Sequence, residues 1–202
     1  ENDEVYTMAP EIDQAQKAGD ETTTQAKIRV IQDAKISDAA KSVLYYGMVA
    51  DDKTRELMDA MTDQGADGAQ VAQTLMAMQR TEGLKGAEKT IAKRNAIVDS
   101  GLEDEFKHQL YREKVSDSKE SEIAEFRAAN MDIDTFLKVQ NEYSRINSQE
   151  GKKASQKAQD FSHWLEKQGL TKRQKDVARD CFTYYSMVPA NAKWFNSAVD
   201  AG

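Results

Sequence analysis

Two histidines, His108 and His163, and one cysteine, Cys181, are the side chains in this 202-residue sequence best suited to metal ligation or nucleophilic attack. Zinc requires three or four converging nitrogen or sulfur donors. Neither histidine has a second His or Cys at ligand spacing. The run Asp63-Gln-Gly-Ala-Asp67-Gly68 begins like a calcium loop, but Gly65 occupies the third ligand position and Thr74 the place of the bidentate Glu. A helix-ending glycine followed by a capping Asp accounts for it, and Asp132-Ile-Asp134 reads as capping too. Cys181 lies between Asp180 and Phe182 in a helical stretch, where a small buried thiol is expected and acidic neighbours disfavour the thiolate. Gly-x-Ser-x-Gly elbows, phosphate-binding loops and dinucleotide glycine patterns do not occur. Glu120 to Glu125 could pair carboxylates, yet surface helices carry such pairs routinely. The expectation is a protein with no catalytic residue, no metal site and no cofactor.

Charge and aromatic groupings point instead to surfaces. Lys85, Lys89, Lys93 and Arg94 recur at helical spacing and form a candidate basic face. A second basic set runs from Lys152 through Lys157 to Lys172, Arg173 and Lys175. The ordinary reading is a solvated face with acids one turn away; the functional one is a contact with DNA or an acidic partner. Aromatics gather late in the chain, at Phe161, Trp164, Phe182, Tyr184, Tyr185, Trp194 and Phe195. Most of these suit a core. Trp194-Phe195, past Pro189, and the Tyr184-Tyr185 pair are candidate protein-docking anchors.

With 28 Lys and Arg against 35 Asp and Glu, the formal charge is −7. Most of such a surface repels phosphate backbones and anionic headgroups. Nucleic acid is therefore disfavoured as a partner except through a local basic face. The uncharged stretch around the apolar centre, Ser42 to Ala50, is far short of the about 20 residues a spanning helix needs, so no membrane span is expected. A single cysteine precludes an internal disulfide and suits the reducing cytoplasm or a particle assembled there. The opening ENDEVYTMAP has no initiator Met and no basic or apolar leader, which reads as an excised domain, a matured product or part of something longer.

The elements that carry these groups read as helices throughout. Only two prolines, Pro10 and Pro189, interrupt a chain rich in Ala, Gln, Glu, Lys, Met and Arg, the residues that lose little entropy in a helix. Residues 1–24 read as a polar, partly ordered lead-in. Helices are predicted near 25–34, 38–50, 52–64, 68–81, 85–99, 103–114, 119–129, 133–147, 153–168, 172–187 and 191–199. Asp51 and Asp52 can start one, Gly65 and Gly101 can close two, and Thr171 with Gln174 has capping-box spacing. Stripes at Val71-Leu75-Met78, Leu102-Phe106-Leu110 and Phe136-Val139-Tyr143-Ile146 are narrow and must pack on one another.

The sequence also resembles itself. A shift of 66 residues carries Lys27 onto Lys93, Ile31 onto Ile97, Asp38 onto Asp104, Lys41 onto Lys107 and Leu44-Tyr45 onto Leu110-Tyr111. After the loss of one residue, Asp67 meets Asp132 and Val71-Ala72 meets Phe136-Leu137. A weaker third copy starts at Gly169-Leu170, with Lys175 answering Lys107. The fold expected is all-α: a duplicated multi-helix unit forming an irregular bundle or short α-solenoid. Its divisions are a lead-in at 1–24, helical units at 25–91 and 92–150, and a partial third unit at 151–202.

From Met131 to Met187 the order is an Asp-capped helix with a Phe-Leu pair, a Gly-Lys-Lys spacer, a helix ending in Leu, then Gly-Leu-Thr-x-x-Gln-Lys opening the next helix. This resembles the small helical modules repeated within large phage-encoded virion-associated proteins, including minor head and polyvalent proteins of phages infecting gut bacteria. The likeness covers roughly residues 92–188 and, through the duplication, reaches back to about 27; Val177-Ala178 stand where that pattern has a Leu-aromatic pair. The resemblance implies a non-enzymatic structural or packing role in a larger virion protein, with virion components as partners and the virion or the bacterial host cytoplasm as location. The alternative is a stand-alone helical adaptor or inhibitor of a host protein.

Overall fold

A computed structural model describes residues 2–115 and 120–184. They form eleven α-helices, and no strand occurs among them. The chain divides into two compact units, Glu1–Val115 and Ser116–Gly202. This division differs from the expected boundaries after residues 91 and 150. The helices expected to open the second copy pack within the first unit instead.

The first unit holds α1 (Asn2–Asp13), α2 (Thr23–Asp33), α3 (Asp38–Met48), α4 (Asp52–Asp63), α5 (Gly68–Arg80), a 3-10 turn (Thr81–Gly83), α6 (Gly86–Val98) and α7 (Asp104–Lys114). Helix α3 lies against α5 and α1, and α5 also against α4 and α6. Ile28, Ile31, Leu44, Tyr45, Met61 and Leu75 are almost fully buried and form the centre of the core. The Tyr45 hydroxyl donates to Gln79 Oε1 at 3.1 Å, and burial pushes its ionisation well above the ordinary range.

Helix α1 corrects the reading of residues 1–24 as a polar lead-in. Val5, Met8 and Ile12 step by three and four onto one stripe, and Ile12 is fully buried. A stripe of three apolar residues in a twelve-residue segment that contains Pro10 looks like a loop until a neighbouring surface is available. Ser37, the cap of α3, donates to Glu4 at 3.1 Å, and Lys27 pairs with Asp13 at 3.2 Å. Thr22 and Gln25 form a capping box that opens α2 two residues ahead of the expected start.

The second unit holds α8 (Glu120–Ala128), α9 (Ile133–Asn147), α10 (Ala154–Glu166) and α11 (Lys172–Arg179), which continues as a π turn over Asp180–Tyr184. Its core is aromatic. Phe126 meets Phe136 edge-on at 4.5 Å, Tyr143 stacks on Phe182 at 5.0 Å, and Phe161 meets Phe182 edge-on at 6.1 Å. The expected capping box of Thr171 and Gln174 forms.

Some positions matched in the sequence share local features. Helices α3 and α7 are both 11 residues long and end at Val49 (φ −126°) and Val115 (φ −123°). Lys41 reaches back nine residues to the Gln32 carbonyl at 2.9 Å and Lys107 to that of Val98 at 3.3 Å, while Lys175 pairs with the Glu166 carboxylate at 2.7 Å and lies 3.5 Å from its carbonyl. In each case a lysine in the first turns of a helix neutralises the negative end of the helix before it. Helices α6 and α10 are both 13 residues long, and Ile97 and Leu165 are both fully buried near their ends.

The next corner repeats as well. Ala66 donates to the Met61 carbonyl and Met131 to Phe126, both at 3.0 Å, around the left-handed residues Gly65 (φ 100°) and Asn130 (φ 55°). Asn is one of the few side-chain-bearing residues that visits this region routinely. Asn130→Gly is expected to stabilise the second unit by about 0.5–1 kcal/mol, while Gly65→Ala costs the first about 1–2 kcal/mol. No atom lies within 4 Å of a Cβ at Gly65, so that cost is conformational alone. Urea titration of the two variants checks both signs.

Candidate functional site

The four residues of the candidate basic face do not present one solvated surface. Lys85 is the N-cap residue of α6 and makes no side-chain capping bond. Lys89 and Lys93, one turn apart, both reach Glu82 in the preceding 3-10 turn, Lys93 at 2.7 Å. Arg94 is buried. Two of the four charges thus hold α6 to the turn that precedes it.

Partial burial would raise the Glu82 carboxyl, but hydrogen bonds from Lys89 and Lys93 outweigh it and hold the group below its ordinary value of 4.5. Because the folded value is depressed, the stabilisation is complete above pH 4.5 and is lost as pH falls through the folded value. Glu82→Gln is therefore expected to be less stable than the wild type at pH 7, by a margin that narrows between pH 4.5 and pH 3. Urea midpoints across this range check this; an unchanged gap would show that the loss comes from packing rather than charge.

Among the candidate docking anchors, Tyr185, Trp194 and Phe195 lie outside the described residues. Tyr184 ends the π turn, and its side chain also lies outside them. Phe182, two residues earlier, is buried in the aromatic core. The Cys181 thiol, half-buried, donates to Glu125 Oε2 at 3.2 Å. Beside it, burial first and then the charges of Asp176 and Glu125 push the Asp180 carboxyl up. His108 is buried in α7 and His163 is exposed on α10. Asp67 accepts from Ala69 and Gln70 as the cap of α5, so the calcium-like run serves a helix start. Among the described residues no group of three or more His, Cys, Asp or Glu is placed to hold a metal ion, and no helix is long and apolar enough to cross a membrane.

Concave surface occurs where α5 meets α6. A cleft of about 530 Å³ runs along this seam, with Ala77 and Arg80 on one wall and Ala96 and Asp99 on the other. Lys41 and Gln32 close one side, and buried Thr74 and Met76 line it. Arg80 donates to Gln32 Oε1 at 2.9 Å, and Lys41 to the Gln32 carbonyl, so both cations are oriented. Each keeps further N–H donors beyond these bonds.

The matching seam in the second unit, between α9 and α10, is divided. One part is lined by Glu142, Arg145, Trp164 and Lys167, the other by Lys138, Val139, Trp164 and Gln168. By the correspondence of the helices, Arg145 answers Arg80, Val139 answers Thr74, and Trp164 answers Ala96. Trp164 is half-buried, stacks on Phe161 at 6.1 Å, and borders both parts. The second-unit seam thus carries an indole at that position and still opens on either side of it, into clefts of about 450 and 430 Å³.

Compared with protein-family models, curated proteins and solved structures, the chain matches none.

Proposed function

We propose that this chain is a non-enzymatic helical module of a larger phage or prophage virion-associated protein, built by duplication of one packing unit and acting by docking to other proteins. The observation that carries the reading is the recurring helix pair, in which Lys41 and Lys107 bind the carbonyl nine residues back and Lys175 reaches Glu166 at the same spacing. Reuse of one packing geometry along a chain suits a scaffold, where successive units present related surfaces at related spacings. The virion setting rests on the resemblance of residues 92–188 to phage modules, and the protein-binding role on seams such as the α5–α6 cleft.

The test is cross-linking mass spectrometry after prophage induction in the source strain, with this chain as bait. Capsid, portal or tail proteins linked to the α5–α6 surface would support the reading. A single host enzyme or regulator recovered without virion components would replace it with the adaptor or inhibitor.

A further inference from the structure

We propose that the seam between α9 and α10 binds single-stranded nucleic acid, its cations meeting phosphates and Trp164 meeting an unpaired base. Charge is unevenly spread along the chain. In Ser116–Gly202 thirteen Lys and Arg balance thirteen Asp and Glu, so the whole net charge of −7 belongs to Glu1–Val115. The net repulsion that disfavours phosphate on the first unit is therefore absent from the second.

Within the second unit, cations gather about this seam. Arg145, Lys152 and Lys167 line one of its clefts and Lys138 the other. Lys153 follows Lys152 directly, and Lys172 and Arg173 open α11 just past Leu170, which lines the second cleft. Of the acids on α9, α10 and their connection, Glu142, Asp160 and Glu166 are already held, by Arg145, Lys152 and Lys175; Asp134 and Glu150 are the other two. Among the described residues Lys138, Lys153, Lys167, Lys172 and Arg173 form no ion pair, and all five are exposed. The basic set on α6 differs, since Glu82 holds Lys89 and Lys93 and Arg94 is buried. Lys153 and Lys167 flank α10, about 21 Å apart along its axis, so the charge forms a track rather than a point.

Two observations select an unpaired strand over an acidic protein, a membrane or a duplex. Among the described residues the exposed large hydrophobics are Tyr6, Val43 and Leu84, all in the first unit. A protein interface buries an apolar centre and a peripheral helix inserts an apolar face, and the described surface of the second unit exposes no large apolar residue for either. Trp164, half-buried, borders both clefts and so can be reached between the cations. A positive track beside an aromatic ring holds an unpaired strand without sequence preference, phosphates by charge and a base by stacking. A duplex keeps its bases stacked on one another and has no use for the ring.

Fluorescence anisotropy of a labelled oligothymidylate of about 20 nucleotides, titrated with the full 202-residue chain, is the test. The expected result is binding at about 50 mM salt that weakens roughly tenfold or more by about 200 mM. Lys138→Gln combined with Lys167→Gln removes two exposed charges, and is expected to weaken binding about tenfold and to flatten the salt slope by about 1.4. Lys85→Gln, an exposed lysine of the first unit, should change binding less than about twofold, being screened from the seam by salt. Binding should also quench indole fluorescence, and Trp164→Phe, which keeps a ring against Phe161, should remove most of that quenching. A chain that leaves the oligonucleotide free at several hundred micromolar in low salt overturns the proposal. So does binding that Lys85→Gln weakens as much as the paired substitution, since it must then be diffuse. A duplex of equal length bound as tightly, without quenching, overturns the assignment to an unpaired strand. Were Trp164→Phe to unfold, as circular dichroism would show, the lysine variants and the duplex comparison would decide. None of these outcomes depends on which proteins the chain recovers from cells, so the docking role stands or falls separately.

Discussion

Phe161→Ala is expected to destabilise the second unit by about 3–5 kcal/mol, the largest effect of any single truncation there. Phe161 is fully buried and touches Tyr143, Trp164 and Phe182, so its removal opens a cavity among rings too rigid to collapse into it. For a unit of this size the loss lowers the melting temperature by more than about 12 °C. Two signals separate the units. Both tryptophans, Trp164 and Trp194, belong to Ser116–Gly202, so indole fluorescence follows that unit alone, while far-ultraviolet circular dichroism follows all the helices. In the variant, fluorescence should report an early transition and dichroism an early partial loss followed by a second step. A single coincident transition by both probes would mean that the two units unfold as one.

Much of the helical architecture was legible because local and tertiary signals agree. The stripes Val71-Leu75-Met78 and Leu102-Phe106-Leu110 are buried throughout, and Asp51, Asp67, Asp132 and Thr171 cap helices as their types and positions imply. Gly65 and Gly101 take positive φ at the helix ends where they were expected. Helix α1 was not legible, because its stripe is three residues wide and gains its stability from α2 and α3 rather than from propensity.

The surfaces were harder still. Charge spacing placed Lys89 and Lys93 on one helix face, but only the path of the 3-10 turn brings Glu82 between them. Arg94 belongs to the same basic run and faces the interior, which a list of basic residues cannot distinguish. The clasps of Lys41, Lys107 and Lys175 had a visible trace, since all three were matched as repeat positions, but Lys41 and Lys107 meet backbone carbonyls, which have no side-chain signature, and only Lys175 also meets a carboxylate, that of Glu166. The α5–α6 cleft depends on the absence of bulk at Ala77 and Ala96, and small residues on a helix ordinarily signal close packing rather than an opening.

Leu44→Ala and Leu110→Ala offer the sharpest test of the duplication, because the two leucines occupy one position in two helices of the same unit. Both are buried to within 1 % of completely, on helices of equal length that end in the same backbone conformation. Each lies one turn beyond its clasping lysine, Lys41 or Lys107. Truncation of a buried Leu costs about 2.7–5 kcal/mol, and the spread reflects how far each site relaxes. Copies of one packing unit should relax alike, so the two costs are expected to agree within about 1 kcal/mol. Lys41→Met and Lys107→Met should follow the same pattern at a smaller scale, about 1.5–3 kcal/mol each, because each loses a charged hydrogen bond to a helix-end carbonyl. Urea titration followed by circular dichroism measures all four. A pair in which Leu44→Ala is severe and Leu110→Ala nearly silent would show that the matched residues sit in differently packed surroundings, and that the sequence echo reflects helix-forming composition rather than a repeated structural unit.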